Sequence, residues 1–363
     1  MLVDTMHNTR FQKVFDNMEA LALEQLLVTD PASIGWLTGF SVDPGERFMG
    51  LVLRLGQEPV LIINDLFPTP EDLGIKLMGY RDTNDPVDIV QELLDAQKPL
   101  GCDKNMAARF LIPLQERKAA SQFVLGSKAV DDARSIKEPF EIELMRKASA
   151  INDQAMEWLT TQVYEGVTEA EIAHNLLEEY KRLGAQGFSF APIISFGAHA
   201  ADPHHEPDNT QLQAGDVVLF DVGCLYNGYC SDMTRTFFFK SVTPEQQQVY
   251  EIVRKANWAA AQKVAPGVLF SEIDAAARSI ICDAGYGHEF NHRLGHQIGT
   301  NVHEPGDVSA IHHEPVQPGM IFSDEPGIYL AGNFGVRIED LILVTENGCE
   351  VLNNYPRELR VLE

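Results

Sequence analysis

Asp221 and Asp232 flank Asn227-Gly228 in the run Asp216-Val-Val-Leu-Phe-Asp-Val-Gly-Cys-Leu-Tyr-Asn-Gly-Tyr-Cys-Ser-Asp-Met-Thr-Arg-Thr-Phe-Phe238. Asn-Gly between two strand-like runs predicts a hairpin with a type I′ turn. That turn sets a register in which Tyr226 faces Tyr229, Asp221 faces Thr234 and Gly223 faces Asp232. The two aspartates then share one face as diagonal neighbours, their strand positions roughly 7–8 Å apart. Asp is depleted in strands, and Asp221 follows an apolar run, so simple exposure explains it poorly. A buried carboxylate needs a partner or a cation.

A second cluster lies downstream: His292-Arg-Leu-Gly-His296-Gln-Ile-Gly-Thr-Asn-Val-His303, then Ser323-Asp-Glu325-Pro-Gly-Ile-Tyr329, then Gly335-Val-Arg337-Ile-Glu339. If strands over 320–329 and 336–344 pair about Gly332, Glu325 faces Glu339. Two hairpins would each offer two carboxylates. Asp221, Asp232, Glu325 and Glu339 together carry four negative charges, which two divalent cations neutralise. With the imidazole of His296 the set is oxygen-rich and of moderate hardness, which suits Mn²⁺ first and Co²⁺ or Zn²⁺ next. Two such ions, roughly 3.5–4 Å apart, form a clamp that acidifies a water held between them. A single histidine here would be an ordinary loop residue. Three within His292–His303, with His204 and His205 following Pro203, point to a site, whereas His312 and His313 read as surface.

The elements that must position these groups are legible in outline. Residues 1 to about 128 alternate helical and strand patterns and form an α/β unit with no phosphate-binding glycine motif. Residues 8–25 carry apolar positions at helical spacing, strands are expected at 26–29, 48–53 and 59–63, and a helix at 87–96. A polar stretch from Val130 to Pro139 marks a boundary near 130 and gives domains 1–129 and 130–363. Beyond it a weak repeat appears. Gly166-Val167, Glu171-Ile172 and Gly184 match Gly267-Val268, Glu272-Ile273 and Gly285 at one offset of 101 residues. Helix pairs at about 140–163 with 169–183, and 244–264 with 270–284, follow the same plan. An α+β domain with pseudo-two-fold symmetry is expected, its site drawing ligands from both halves.

At these residues the sequence resembles the pita-bread metallopeptidases: prolidase (Xaa-Pro dipeptidase), aminopeptidase P and methionine aminopeptidase. The likeness spans the second domain, and the junction Arg134-Ser-Ile-Lys-Glu-Pro-Phe-Glu141-Ile also looks like that family's. Ile34-Gly-Trp-Leu-Thr-Gly-Phe40 resembles a turn of the prolidase and aminopeptidase P branch. The resemblance implies that Asp221, Asp232, His296, Glu325 and Glu339 hold two metal ions, with Asp232 and Glu339 bridging. It implies that Glu325 is also the general base, and that His204, His292 and His303 hold substrate and the developing oxyanion. Tyr329 and Arg337 match positions around the glutamates. It further implies a homodimer in which the loop Ser41–Arg47 reaches the neighbour's pocket. Gln297 departs from the pattern, standing where the family usually has glycine beside the site.

The expected activity is hydrolysis of Xaa-Pro bonds, most simply in dipeptides, with an Xaa-Pro aminopeptidase as the alternative. General peptidases handle these bonds poorly because proline lacks an amide hydrogen and restricts its neighbour. A dipeptidase must hold the free carboxylate of the proline, for which arginine is suited. Arg293 is the candidate, and Arg337 is set either for substrate or for an ion pair to a ligand carboxylate. The intact ligand set argues against a catalytically silent binding protein and against a creatinase-like amidinohydrolase.

Composition narrows the setting. The net charge of −25 over 363 residues argues against a nucleic-acid surface and against anionic lipid. No run is long enough to span a membrane, and Met1–His7 lack the pattern of a signal peptide. Five scattered cysteines fit reduced thiols in the cytoplasm, and the hairpin register keeps Cys224 and Cys230 on opposite faces.

Overall fold

The computed structural model describes residues 2–70 and 72–363. The chain divides into two units, Met1–Arg134 and Ser135–Glu363. The division falls a few residues past 129/130, because the stretch read as a polar connector begins as the helix Lys128–Ser135. Its Ala129, Val130 and Ala133 are buried in the first unit's core. Their helical spacing is masked in sequence by the charged residues between them.

The first unit is built on a six-stranded mixed sheet ordered 76–80, 60–64, 50–54, 25–28, 99–102, 122–125. Successive side chains of a strand point to opposite faces. Leu26, Val28, Leu51, Leu53, Leu61 and Ile63 accordingly enter one core, and Leu27, Val52, Ile62, Leu100 and Cys102 the other. Both faces are covered, so the central strands read as continuous apolar runs. Asp30 caps the helix Pro31–Thr38 by accepting from Ser33 N at 2.9 Å, and Gly39 ends it in the left-handed conformation.

The second unit is α+β with pseudo-two-fold symmetry. The helices Pro139–Thr161 and Glu169–Arg182 have counterparts in Pro244–Lys263 and Phe270–Asp283. The turns between them match in detail. Gly166 and Gly267 have φ of 88° and 87°. Their amides donate to Leu212 O and Val316 O, both at 2.9 Å. Ala170 N to Asp208 O and Ser271 N to His312 O repeat the pattern one step on. The sparse sequence repeat is therefore a structural duplication.

Each half carries a sheet holding one ligand hairpin. In the first, Val217–Val222 and Met233–Phe239 lie between Ile193–Phe196 and Val361–Leu362. In the second, Ile321–Asp324 and Asp340–Thr345 are central to a five-stranded sheet. Buried asparagines of the two long helices brace the ligand strands. Asn152 Nδ2 donates to Val222 O at 2.8 Å, and Asn257 Nδ2 to Asp324 O at 3.0 Å. Among the described residues no helix is long and apolar enough to cross a membrane. All five cysteines are free thiols.

Candidate metal centre

The first hairpin turns at Asn227 and Gly228, whose φ values of 46° and 81° are those of a type I′ turn. Tyr226 pairs with Tyr229 and Asp221 with Thr234, the expected register. Asp232 lies in the break between the two segments of its strand, Tyr229–Cys230 and Met233–Phe239. The second hairpin pairs Asp324 with Asp340 and Gly327 with Arg337, and it turns around Gly332. Continued through the gap, that register sets Glu325 opposite Glu339. The gap has a physical cause. Pro326 lacks an amide hydrogen, Glu325 N donates to Leu294 O at 2.9 Å, and Glu339 N donates to Thr234 O at 3.1 Å. The glutamates thus sit where the ladder opens and its amides serve neighbouring elements.

All five groups line one cavity of about 940 Å³. Ligand atoms of Asp232, His296 and Glu339 lie within 4.8 Å of one another. His296 Nε2 is 3.8 Å from Asp232 Oδ2 and 3.4 Å from Glu325 Oε1. His296 Nδ1 donates to Gln297 O at 3.1 Å, which fixes the tautomer and leaves Nε2 with its lone pair. Asp221 joins through Arg337. The guanidinium donates to Asp221 Oδ2 at 2.5 Å, Thr234 Oγ1 at 3.0 Å and Tyr329 Oη at 2.8 Å. Thr234 Oγ1 in turn donates to Glu339 Oε2 at 2.7 Å.

Electrostatics identify what this arrangement lacks. Burial, reinforced by neighbouring carboxylates, holds Asp232 and Glu339 well above the usual carboxylate range. Burial lifts Glu325 to about 7, against the pull of Arg337. Burial also lowers His296 to about 3 and His292 to about 4, so both imidazoles are neutral near pH 7. Asp221 Oδ1 and Asp232 Oδ1 are buried without a hydrogen-bond partner. Orphaned carboxylate oxygens beside a neutral imidazole with a free lone pair fit divalent cations.

A match to the model of metallopeptidase family M24 covers residues 143–346. The chain belongs to metallopeptidase family M24. Residues 10–136 match the creatinase/prolidase N-terminal domain. The putative dipeptidase YkvY of Bacillus subtilis is 34% identical over 97% of this chain and 99% of its own. The crystal structure of dipeptidase PepE from Mycobacterium ulcerans superposes with a TM-score of 0.93 at 34% identity, covering 99% of this chain and 98% of that one. Prolidase from Thermococcus sibiricus gives 0.91 at 33%, covering 98% and 99%. This M24 member is a metal-dependent peptidase with the pita-bread fold.

The surrounding residues sort by geometry. His204, His292 and His303 line the cavity. His303 packs on His296 with ring centroids 4.2 Å apart. His292 Nε2 lies 2.9 Å from Tyr329 Oη, and its Nδ1 donates to Arg293 O at 2.7 Å. Tyr329 and Arg337 are buried against one another and the ligands, so Arg337 takes the ion-pair alternative to Asp221. Arg293 lines the cavity, is 35% exposed and pairs with Asp307. His313 is exposed, as expected, whereas His312 is half-buried and stacks on Phe270 at 4.5 Å.

Gln297 does not line the cavity. It follows His296 on a strand and so points to the other face. There its side chain occupies the space over Gly306, where an added Cβ would fall 2.3 Å from Gln297 Nε2. The side chain expected beside the site is thus accommodated behind it. Of the buried carboxylates that the sequence reading passed over, two touch residues beside the site. Glu304, next to His303, accepts from Lys137 Nζ at 2.9 Å and Thr300 N at 3.0 Å. Glu169 gathers His199 and His205. Only the adjacency of Glu304 to His303 was visible in the sequence.

Proposed function

We propose that this chain is a cytoplasmic two-metal Xaa-Pro dipeptidase, a prolidase, with Mn²⁺ preferred and Co²⁺ or Zn²⁺ as substitutes. The observation that carries the reading is the meeting of Asp221, Asp232, His296, Glu325 and Glu339 in one cavity, with two carboxylate oxygens left orphaned. The names of the Thermococcus sibiricus prolidase and of the Bacillus anthracis Xaa-Pro dipeptidase, 28% identical over 98% of this chain, support the proline preference. Free cysteines fit the cytoplasm. Family likeness supports a homodimer.

Asp221, Asp232, His296, Glu325 and Glu339 would hold the two ions, which when bound polarise the scissile carbonyl and acidify the attacking water. The residues do the rest. Ser323 Oγ donates to Glu325 Oε1 at 3.0 Å, which leaves Oε2 to take the proton from the attacking water. His303 and His204 donate to the developing oxyanion. Tyr329 and the Arg293 carbonyl hold both ring nitrogens of His292, which fixes that ring on the cavity wall. Arg293, free on the cavity side of an exposed pair, takes the proline carboxylate.

Metal-stripped protein assayed on Xaa-Pro dipeptides, Xaa-Pro-Yaa tripeptides and Xaa-Ala dipeptides, with each metal restored in turn, tests the reading. Turnover of Xaa-Pro dipeptides above the others is expected. The cavity of about 940 Å³ exceeds what a dipeptide fills, which favours an Xaa-Pro aminopeptidase as the second reading. Faster tripeptide cleavage would establish it.

A further inference from the structure

The two halves repeat one backbone arrangement and differ sharply at one place in it. Glu169 and Phe270 open corresponding helices, and their amides donate to Thr210 O and Glu314 O. In the second half Phe270 is buried and packs against His312 and Phe322. In the first half a wholly buried carboxylate takes its place. Glu169 Oε1 accepts from Phe196 N at 2.8 Å and His199 Nδ1 at 3.0 Å. Oε2 accepts from His205 Nε2 at 2.7 Å and Asp208 N at 3.1 Å. Phenylalanine satisfies the fold in one half, so the fold itself does not require a carboxylate. Burying one is unfavourable unless it is fully hydrogen-bonded, and its presence in one half only needs a local reason.

All four donors lie on the segment 196–208. That segment carries Pro203, His204, His205 and Pro207 onto the wall of the cavity. It also leans on the opposite half. The Ala200 carbonyl sits so close to Gly335 that an added Cβ would fall 1.9 Å from it, two residues before Arg337.

We propose that Glu169 is a positioning residue for the cavity: its carboxylate fixes the segment 196–208 and so sets His204 against the reacting groups. The proposal rests on the reading of the cavity as a peptidase site. Glu169 touches no substrate and acts only through the segment it holds. Glu169, His199, His205 and Asp208 also bring ligand atoms within 4.8 Å of one another, as a cation site would. Each carboxylate oxygen, however, already accepts two hydrogen bonds, which fills its lone pairs. A cation would have to displace both imidazole N–H groups, so the cluster is complete as it stands.

The test compares Glu169→Gln and Glu169→Phe with the wild type in the full-length, metal-loaded protein. Glu169→Phe copies the other half. Hydrogen exchange over 196–208 should quicken by at least ~10-fold in both variants, while 307–315, around the His312 that packs on Phe270, stays unchanged. Turnover of Xaa-Pro dipeptides should fall roughly 10- to 100-fold, mainly in kcat. Metal content should hold in Glu169→Gln, and its melting temperature should fall less than that of Glu169→Phe, because one oxygen still accepts its two hydrogen bonds. The double variant Glu169→Gln/His204→Ala should be no slower than His204→Ala alone, because the carboxylate acts through that histidine. Additive losses, or unchanged exchange over 196–208, would overturn the proposal. Loss of a third equivalent of metal from Glu169→Gln would also overturn it, assigning the cluster to a cation. Exchange is read without substrate. A wild type that cleaves no dipeptide therefore sinks the proposed activity, and unchanged exchange sinks this inference.

Discussion

Arg337 Nη2 donates to Asp221 Oδ2 at 2.5 Å, and both side chains are buried where the two ligand hairpins meet. The guanidinium neutralises one carboxylate of four and orients it by a single oxygen, leaving Oδ1 without a protein partner. Its other arms reach Thr234, which bonds Glu339, and Tyr329, which meets His292. One cation thus ties the first hairpin to the second and to the substrate wall. Removing one member of a buried pair strands the other, at a cost of roughly 3–5 kcal/mol. Arg337→Met should lower the melting temperature and weaken metal binding together. Thermal unfolding with and without metal checks this, and an unchanged melting temperature would remove the strut from the account.

Asp232→Asn should behave in the opposite way. Burial, and after it the neighbouring carboxylates, raises Asp232 well above the usual carboxylate range and so disfavours its charge. Asparagine keeps the shape and one oxygen with no ionisable group to bury, so the metal-free variant should melt no lower than the metal-free wild type. The loaded variant should lose metal and turnover. Elemental analysis beside calorimetry reads both, and a variant that keeps two ions and normal rates would break the ligand assignment.

Metal uptake should release protons. Asp232 and Glu339 lie well above the usual carboxylate range and Glu325 near 7, so at neutral pH the metal-free cluster carries protons that cations must expel. A carboxylate raised by folding favours the folded state at low pH and loses that contribution as the pH climbs through the folded value. His292 and His296, lowered to about 4 and 3, lose theirs only as the pH falls below 6.5. Above 6.5 only the carboxylates matter. The melting temperature of metal-free protein should therefore fall between pH 6.5 and about 8, with little change in the loaded form. Titration calorimetry in buffers of different ionisation enthalpy counts the protons.

Glu325→Gln keeps the volume and one oxygen while removing the base. It should lower kcat more than it raises KM, the pattern of an interaction made in the transition state. His303→Ala should lower kcat as well, by removing a donor to the oxyanion. If steady-state kinetics showed both changes confined to KM, these roles would be wrong even with the ligands right.

Arg293→Ala tests the dipeptide reading. Its pair with Asp307 is exposed, so little stability depends on it. Loss of a charged hydrogen bond to the proline carboxylate should weaken Xaa-Pro dipeptides by roughly 1.5–3 kcal/mol. Xaa-Pro amides, without that charge, should be nearly unaffected. Comparing kcat/KM for acid and amide decides the matter, since equal losses on both would reject the contact.

Local rules made much of the site readable in advance. Asn227-Gly228 specifies one turn geometry, and the strict alternation of a strand then fixes Asp221 against Thr234. Gly332 did the same for the second hairpin. The offset of 101 residues carried the duplication, because each repeat must make the same turn between its helices. Other features depended on contacts between residues far apart in the chain. The helix Lys128–Ser135 was hidden by its charges until its apolar side found a core. The side of the strand that Gln297 occupies, and the space Gly306 leaves for it, follow from three-dimensional packing. Glu169 was just another acidic residue at the start of a helix, where such residues are common. What it binds is 27 to 39 residues away, and only folding delivers those four donors to one carboxylate. Sequence determined the chemistry and its local register, since both follow from neighbours along the chain. Tertiary structure alone decided which groups support that chemistry, because a buried charge selects its partners by distance in space.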